Sequence, residues 1–153
     1  MRGLLVIGHG SRRAEANATV VELARTLAGA DTDSPAPAPG DGSGGGMPTG
    51  TPPAWDAVEP AFLEIARPDI AEGYAALVRT GCSEIVAHPF FLFDGNHTSR
   101  DIPDALAAAQ TDHPGTSWTV TQPLGLHPGV VRAVQARIED ALHQAAAAAP
   151  AHS

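Results

Sequence analysis

Short apolar runs alternate with longer stretches of helical spacing along this chain, and that alternation constrains its fold more than any other feature. Leu4-Leu5-Val6-Ile7 is continuous and apolar, as in a strand buried on both faces, and Val20, Leu23, Ala24 and Leu27 follow at helical spacing. Val58 to Leu63 reads as a second strand. Ile70, Tyr74, Leu77 and Val78 then form a helical face that Pro68 and Asp69 open and Gly81 closes. Ile85-Val86-Ala87 begins a third strand, followed by a helix from about Asp101 to Gln110. Trp118 to Thr121 makes a fourth, followed by a helix marked by Val131, Val134, Ile138 and Ala141. Four successive strand–helix units predict an α/β fold with a four-stranded, mainly parallel sheet, right-handed crossovers and helices covering both faces.

The chain has 153 residues, which suits one domain. At 43% hydrophobic and 17% charged it is too apolar for a disordered chain and lacks the composition of a collagen or a coiled coil. No run approaches the roughly 20 apolar residues of a membrane span, and the opening Met1 to Ile7 turns polar by His9 and Ser11, so neither anchor nor signal peptide is expected. The single cysteine, Cys82, offers no disulfide and no thiolate cluster, which points to the cytoplasm and leaves His and carboxylates as metal ligands. The net charge is −8 and all nine cationic residues are Arg. Nucleic-acid binding is not expected without a basic stripe, and the absence of Lys removes Schiff-base chemistry and the phosphate-loop lysine. Residues 30–53 are half Gly and Pro and read as a disordered surface loop inserted in a domain spanning 1–148, with 149–153 a tail.

In parallel sheets ligands bind at the carboxyl ends of the strands, beside a switch in strand order. His9 falls just past the first strand, Glu64 past the second, His88 at the end of the third with His97 in the loop beyond, and His127 after the fourth. Gly8-His9-Gly10-Ser11-Arg12-Arg13 turns a strand into a helix, and the flanking glycines let a bulky ligand approach His9 while the helix start offers free N–H groups. The alternative is a plain turn in which His9 is incidental. A dinucleotide fingerprint needs Gly where Arg13 stands, and a nucleophile elbow needs a second Gly that Ser11 lacks. Phe90-Phe91-Leu92-Phe93 reads either as the wall of a pocket for a flat apolar ligand or as core. Asp101, with Asp104 at the capping-box position, reads as a helix N-cap. If the first and third strands are neighbours, His9 and His97 overhang one crevice, where two imidazoles suit Co²⁺, Ni²⁺, Fe²⁺ or Zn²⁺ and leave coordination positions open.

Four ordered blocks carry a resemblance to the small sirohydrochlorin chelatases, within the class II tetrapyrrole chelatases. They are Gly8-His9-Gly10-Ser11; Val58 to Glu64 with Pro68; Pro89-Phe90-Phe91-Leu92 through Gly95-Asn96-His97 to Asp101-Ile102-Pro103; and Pro123-Leu124-Gly125. The resemblance implies a chelatase-like (flavodoxin/Rossmann-like) domain that inserts Co²⁺ or Fe²⁺ into sirohydrochlorin without ATP, for cobalamin or sirohaem synthesis. The divalent metal, with Ni²⁺ a third candidate, is then a substrate, and no tightly bound cofactor is implied. His9 and His97 match the metal-binding histidines, and Glu64 matches the acidic residue beside them; these three are the implied catalytic set. Gly10, Ser11, Arg12, Phe91 and Arg100 are the implied substrate contacts, with Arg12, Arg13 and Arg100 placed to clamp substrate carboxylates. Relatives of this size look like half of two-lobed chelatases, which implies a homodimer. The loop at 30–53 departs from the family pattern, and it enters at the amino end of the second strand, away from the site. His88 also departs, and reads as a buried, hydrogen-bonded side chain rather than a third ligand. His127 either lines the crevice or belongs to a turn with Pro128-Gly129. A metal or tetrapyrrole carrier and a histidine phosphatase are the rival readings; the latter wants Arg where Gly8 stands.

Overall fold

A computed structural model describes residues 1–29, 55–93, 95 and 98–148. The chain runs β1 (Arg2–Gly8), α1 (Ala14–Leu27), β2 (Ala57–Phe62), α2 (Ile70–Thr80), β3 (Glu84–Pro89), α3 (Thr98–Asp112), β4 (Ser117–Val120) and α4 (Pro128–Ala148). The sheet order is β2-β1-β3-β4 and every pairing is parallel, so the mainly parallel expectation sharpens to wholly parallel. The first and third strands are neighbours, as a doubly wound order requires, and the switch in strand order falls at β1.

The unbroken apolar run makes β1 the central strand, because Leu4, Leu5, Val6 and Ile7 are all buried and alternate between two cores. Leu5 and Ile7 join Tyr74, Leu77, Ile85, Ile102 and Leu106 beneath α2 and α3. Leu4 and Val6 join Val20, Ala24 and Phe62 beneath α1. Each large side chain so buried contributes roughly 1.5–3 kcal/mol of transfer free energy. The α2–α3 layer is also tied by polar contacts: the Tyr74 hydroxyl lies 2.7 Å from Thr116 Oγ1, and Trp118 Nε1 donates to Gln110 Oε1 at 3.1 Å.

The α2 boundaries are those the sequence signals. Asp69 accepts the Glu72 N–H while the Glu72 carboxylate accepts the Asp69 N–H, a complete capping box, and Gly81 ends the helix at φ 111°. At α3 the structure corrects the sequence. The helix starts at Thr98, so Asp101 lies in its opening turn and is not the N-cap. Thr98 is buried, and its hydroxyl both accepts from the Gly95 N–H and donates to the Gly95 carbonyl, so the chain is already turned before Asp101.

Helix α4 corrects a second expectation. It forms where the apolar spacing places it, with His127 at the N-cap, where Nδ1 accepts the Gly129 N–H, and Pro128 in the first helical position. Yet among the described residues it makes no extended contact with any strand or helix, and Val131, Val134, Ile138 and Leu142 are exposed. The α1 side of β3 and β4 is therefore an open hollow of about 610 Å³, lined by Leu4, Leu23, Trp55, Val86, Phe90 and Leu124. One face of the sheet is fully covered and the other only in part.

No described helix is long and apolar enough to cross a membrane. The loop at 30–53 and the tail at 149–153 lie outside the described residues.

Candidate functional site

The blocks that stand apart in sequence are stitched together by backbone hydrogen bonds at the carboxyl edge of the sheet. Pairing of β1 with β2 continues past both strand ends: Leu63 N–H donates to the Gly8 carbonyl at 2.9 Å and Glu64 N–H to the His9 carbonyl at 3.2 Å. On the other side Phe90 N–H donates to the Ile7 carbonyl at 2.8 Å. Leu124 and Gly125 in turn donate to the carbonyls of Phe91 and Leu92. One continuous rim results, running from Glu64 through His9 and Phe91 to Leu124.

Gly10 is indispensable to this rim. Its φ is +98°, and a Cβ there would stand 1.7 Å from the Glu64 carbonyl oxygen, so only glycine lets the two segments close together. The Glu64 carbonyl also accepts the Ala66 N–H at 2.7 Å, closing a tight turn whose central residue, Ile65, has φ +71°. A β-branched residue in that region costs about 1–3 kcal/mol and is held only where surrounding structure enforces it. The strained turn fixes where the chain presents Glu64.

His9 is exposed, and its ring packs against Phe91 with centroids 5.9 Å apart and planes tilted by 59°. A hollow of about 240 Å³ beside it is lined by Gly10, Ser11, Asn17, Phe90 and Phe91 among others. Phe90 and Phe91 are partly buried, whereas Leu92 is 56% and Phe93 76% exposed, so the core reading fails for the last two. Glu64, Arg12, Arg13 and Arg100 are exposed, and among the described residues none of them forms an ion pair. Arg12 follows the His9 turn and Arg100 lies in the opening turn of α3.

The structure thus brings His9, Gly10, Ser11, Glu64 and Phe91 onto one rim. His97 lies outside the described residues, as do Asp94 and Asn96. Among the described residues no group of three or more His, Cys, Asp or Glu is gathered as for a closed metal site.

His88 is hydrogen-bonded, as the sequence suggests, but only half-buried, and it lines the hollow over β3 and β4. Its Nδ1 lies 2.7 Å from Thr121 Oγ1, and because that hydroxyl donates to the Gln122 carbonyl, His88 is the donor. Burial pushes its pKa down, which favours the neutral ring. His127 belongs to the turn, as the α4 cap, and also lines the hollow over β3 and β4. Sequence reasoning missed Asn17, whose side chain binds the backbone of Ser11 twice; only its place one helical turn behind the His9 motif hinted at it.

Residues 47–141 match the CbiX family model. The chain is 33% identical over 140 residues to a chloroplastic sirohydrochlorin ferrochelatase of Arabidopsis thaliana, across 92% of this chain and 52% of that protein. It therefore spans about half the length of that curated relative. Its structure is similar to the sirohydrochlorin chelatase SirB of Bacillus subtilis subspecies spizizenii in complex with cobalt, at TM-score 0.63 and 27% identity over 91% of this chain and 50% of that one. It also shares its fold with a cobalamin biosynthesis CbiX protein of Marinobacter aquaeolei VT8, at TM-score 0.67 and 19% identity over 94% of this chain and 99% of that one.

Proposed function

The chain belongs to the CbiX family, and from that premise we propose that it inserts a divalent metal, Co²⁺ or Fe²⁺, into sirohydrochlorin without ATP. The observation that carries this reading is the rim itself: conformationally demanding backbone at Gly10 and Ile65 is used to present His9 and Glu64 on neighbouring strand ends, both exposed and both without an ion pair among the described residues. Insertion exchanges two pyrrole N–H protons for one M²⁺, so the site needs a metal ligand and a proton acceptor facing the same side of the macrocycle. His9 is the ligand, aided by His97; Glu64 accepts one proton and the other passes to solvent water. The metal is substrate, with Ni²⁺ a further candidate. Phe91 supports the His9 ring and offers an apolar surface to the macrocycle. Arg12 and Arg100 engage substrate carboxylates, which local positive charge favours despite a net charge of −8. Gly10 and Ser11 bring backbone close to the ligand. Residues 1–148 act as one chelatase domain.

The reading includes a homodimer. The exposed apolar stripe of α4 and the open hollow over β3 and β4 are complementary in character, and a second copy can cover both. Analytical ultracentrifugation tests this, and a monomer throughout the micromolar range would contradict it.

The decisive variant for the chemistry is Glu64→Gln. A chelatase loses roughly 10²-fold or more in insertion rate while still binding Co²⁺. Rate and metal binding both equal to wild type would remove Glu64 from its role, and metal and tetrapyrrole binding without any insertion by the wild type would make the protein a carrier.

A further inference from the structure

We propose that Asn17 is a positioning residue for the His9 rim, acting through Ser11. The proposal rests on the reading of His9 as the metal ligand. In the opening turn of α1, the Asn17 side chain grips one residue's backbone with both ends: Ser11 N–H donates to Oδ1 at 2.9 Å, and Nδ2 donates to the Ser11 carbonyl at 2.7 Å. A planar carboxamide is the one side-chain group of this length that supplies a donor and an acceptor together, so Asp, Ser or Leu at this position cannot make both bonds. The same turn is tightened by the Arg13 N–H, which donates to Ser11 Oγ at 3.0 Å.

The consequence follows from what lies on either side. His9 and Gly10 are held on one flank by the β2 extension, through the Glu64-to-His9 hydrogen bond and the close approach of Gly10 to the Glu64 carbonyl. On the other flank, among the described residues, the bonds that Asn17 makes to Ser11 tie the turn to α1. Asn17 also lines the hollow beside His9 without being part of the exposed rim. Releasing that clamp frees the Gly10–Ser11 backbone and with it the direction of the His9 ring, while Phe91 and Arg12 stay available to hold the macrocycle. Direct hydrogen-bond partners of metal ligands are worth about 10- to 100-fold in metal affinity or activity, and Asn17, acting through the Ser11 backbone, is expected at or below that range.

The test uses the full chain with Asn17→Asp and Asn17→Ala, measuring kcat and KM for Co²⁺ insertion into sirohydrochlorin, Co²⁺ binding alone by calorimetry, and the urea midpoint. Asn17→Asp separates positioning from folding. A carboxylate in the opening turn of a helix favours α1 through the helix dipole, yet it loses the donor to Ser11 and sets negative charge against a carbonyl. The expected result is a drop of about 10-fold in kcat for both variants, KM within about threefold, weaker Co²⁺ binding, and an unchanged urea midpoint for Asn17→Asp. The proposal is overturned if the folded variants match wild type in kcat and Co²⁺ affinity, or if lost rate merely tracks lost urea midpoint. Should the wild type insert no metal, the functional reading fails by itself, and Co²⁺ binding still decides whether Asn17 sets the metal affinity of the rim.

Discussion

Glu64 lies in the link between β2 and α2 and Glu72 in the first turn of α2, and the chain treats the two carboxylates in opposite ways. Glu72 is fully engaged: it accepts the Asp69 N–H at 2.9 Å and a two-pronged contact from Arg67, and the Arg67 guanidinium, with the Asp69 N–H, holds its pKa at about 2. Its backbone is ordinary helix. Glu64 has no ion pair among the described residues, yet its backbone is held between a glycine at φ +98° and a turn with Ile65 at φ +71°. One region uses polar groups to satisfy each other; the other uses demanding backbone to leave polar groups available. That contrast, more than any single residue, distinguishes structural polarity from chemical polarity in this molecule.

Four substitutions and titrations bear on the contrast. The largest effect belongs to Gly10→Ala, which drives a Cβ into the Glu64 carbonyl; about 3 kcal/mol of stability and nearly all insertion activity are expected to go, read by urea unfolding and initial rates. Asp69→Ala, which removes a helix cap at the other region, is expected to lower stability by about 1 kcal/mol and leave the rate at neutral pH unchanged. Glu64→Gln should move the unfolding free energy by no more than about 0.5 kcal/mol, because an exposed carboxylate without an ion pair holds nothing together; a larger loss would erase the distinction. The smallest effect is the pH dependence of Glu72. Its pKa is about 2 folded against 4.5 as a free group, so its contribution is complete above about pH 4.5 and disappears as the pH falls towards 2. Wild type and Glu72→Gln compared by urea unfolding across that window should converge at the acidic end, and the exposure of the pair keeps the difference small.

Much of this was legible in the sequence, for identifiable reasons. A short apolar run followed by helical spacing reads as a strand buried on both sides, which makes β1 an interior strand, and the doubly wound order places β3 beside it and His9 and Glu64 on one edge. Asp69, Glu72 and Gly81 bounded α2 because capping is local. The start of α3 escapes local reading because Asp101 with Asp104 matches a capping box, whereas the helix already begins at Thr98, whose buried hydroxyl bonds back to Gly95. The apolar stripe of α4 announced a helix but not its partner: amphipathicity says that a face wants covering, not what covers it. Asn17 was invisible because a side chain gripping the backbone of Ser11 leaves no periodic signature. His97, assigned by resemblance as the second ligand, lies outside the described residues and is tested only by substitution.

The central claim, that the rim carrying His9 performs metal insertion, is tested most directly by visible absorption. Sirohydrochlorin is mixed with Co²⁺ or Fe²⁺ under anaerobic, reducing conditions, with wild type, His9→Ala and no enzyme side by side. The expected result is a metal-dependent spectral change accelerated by wild type, with His9→Ala at the uncatalysed rate and folded as wild type, because His9 is exposed and belongs to neither core cluster. Equal rates for wild type and His9→Ala, or a wild type no faster than the uncatalysed reaction, would contradict it.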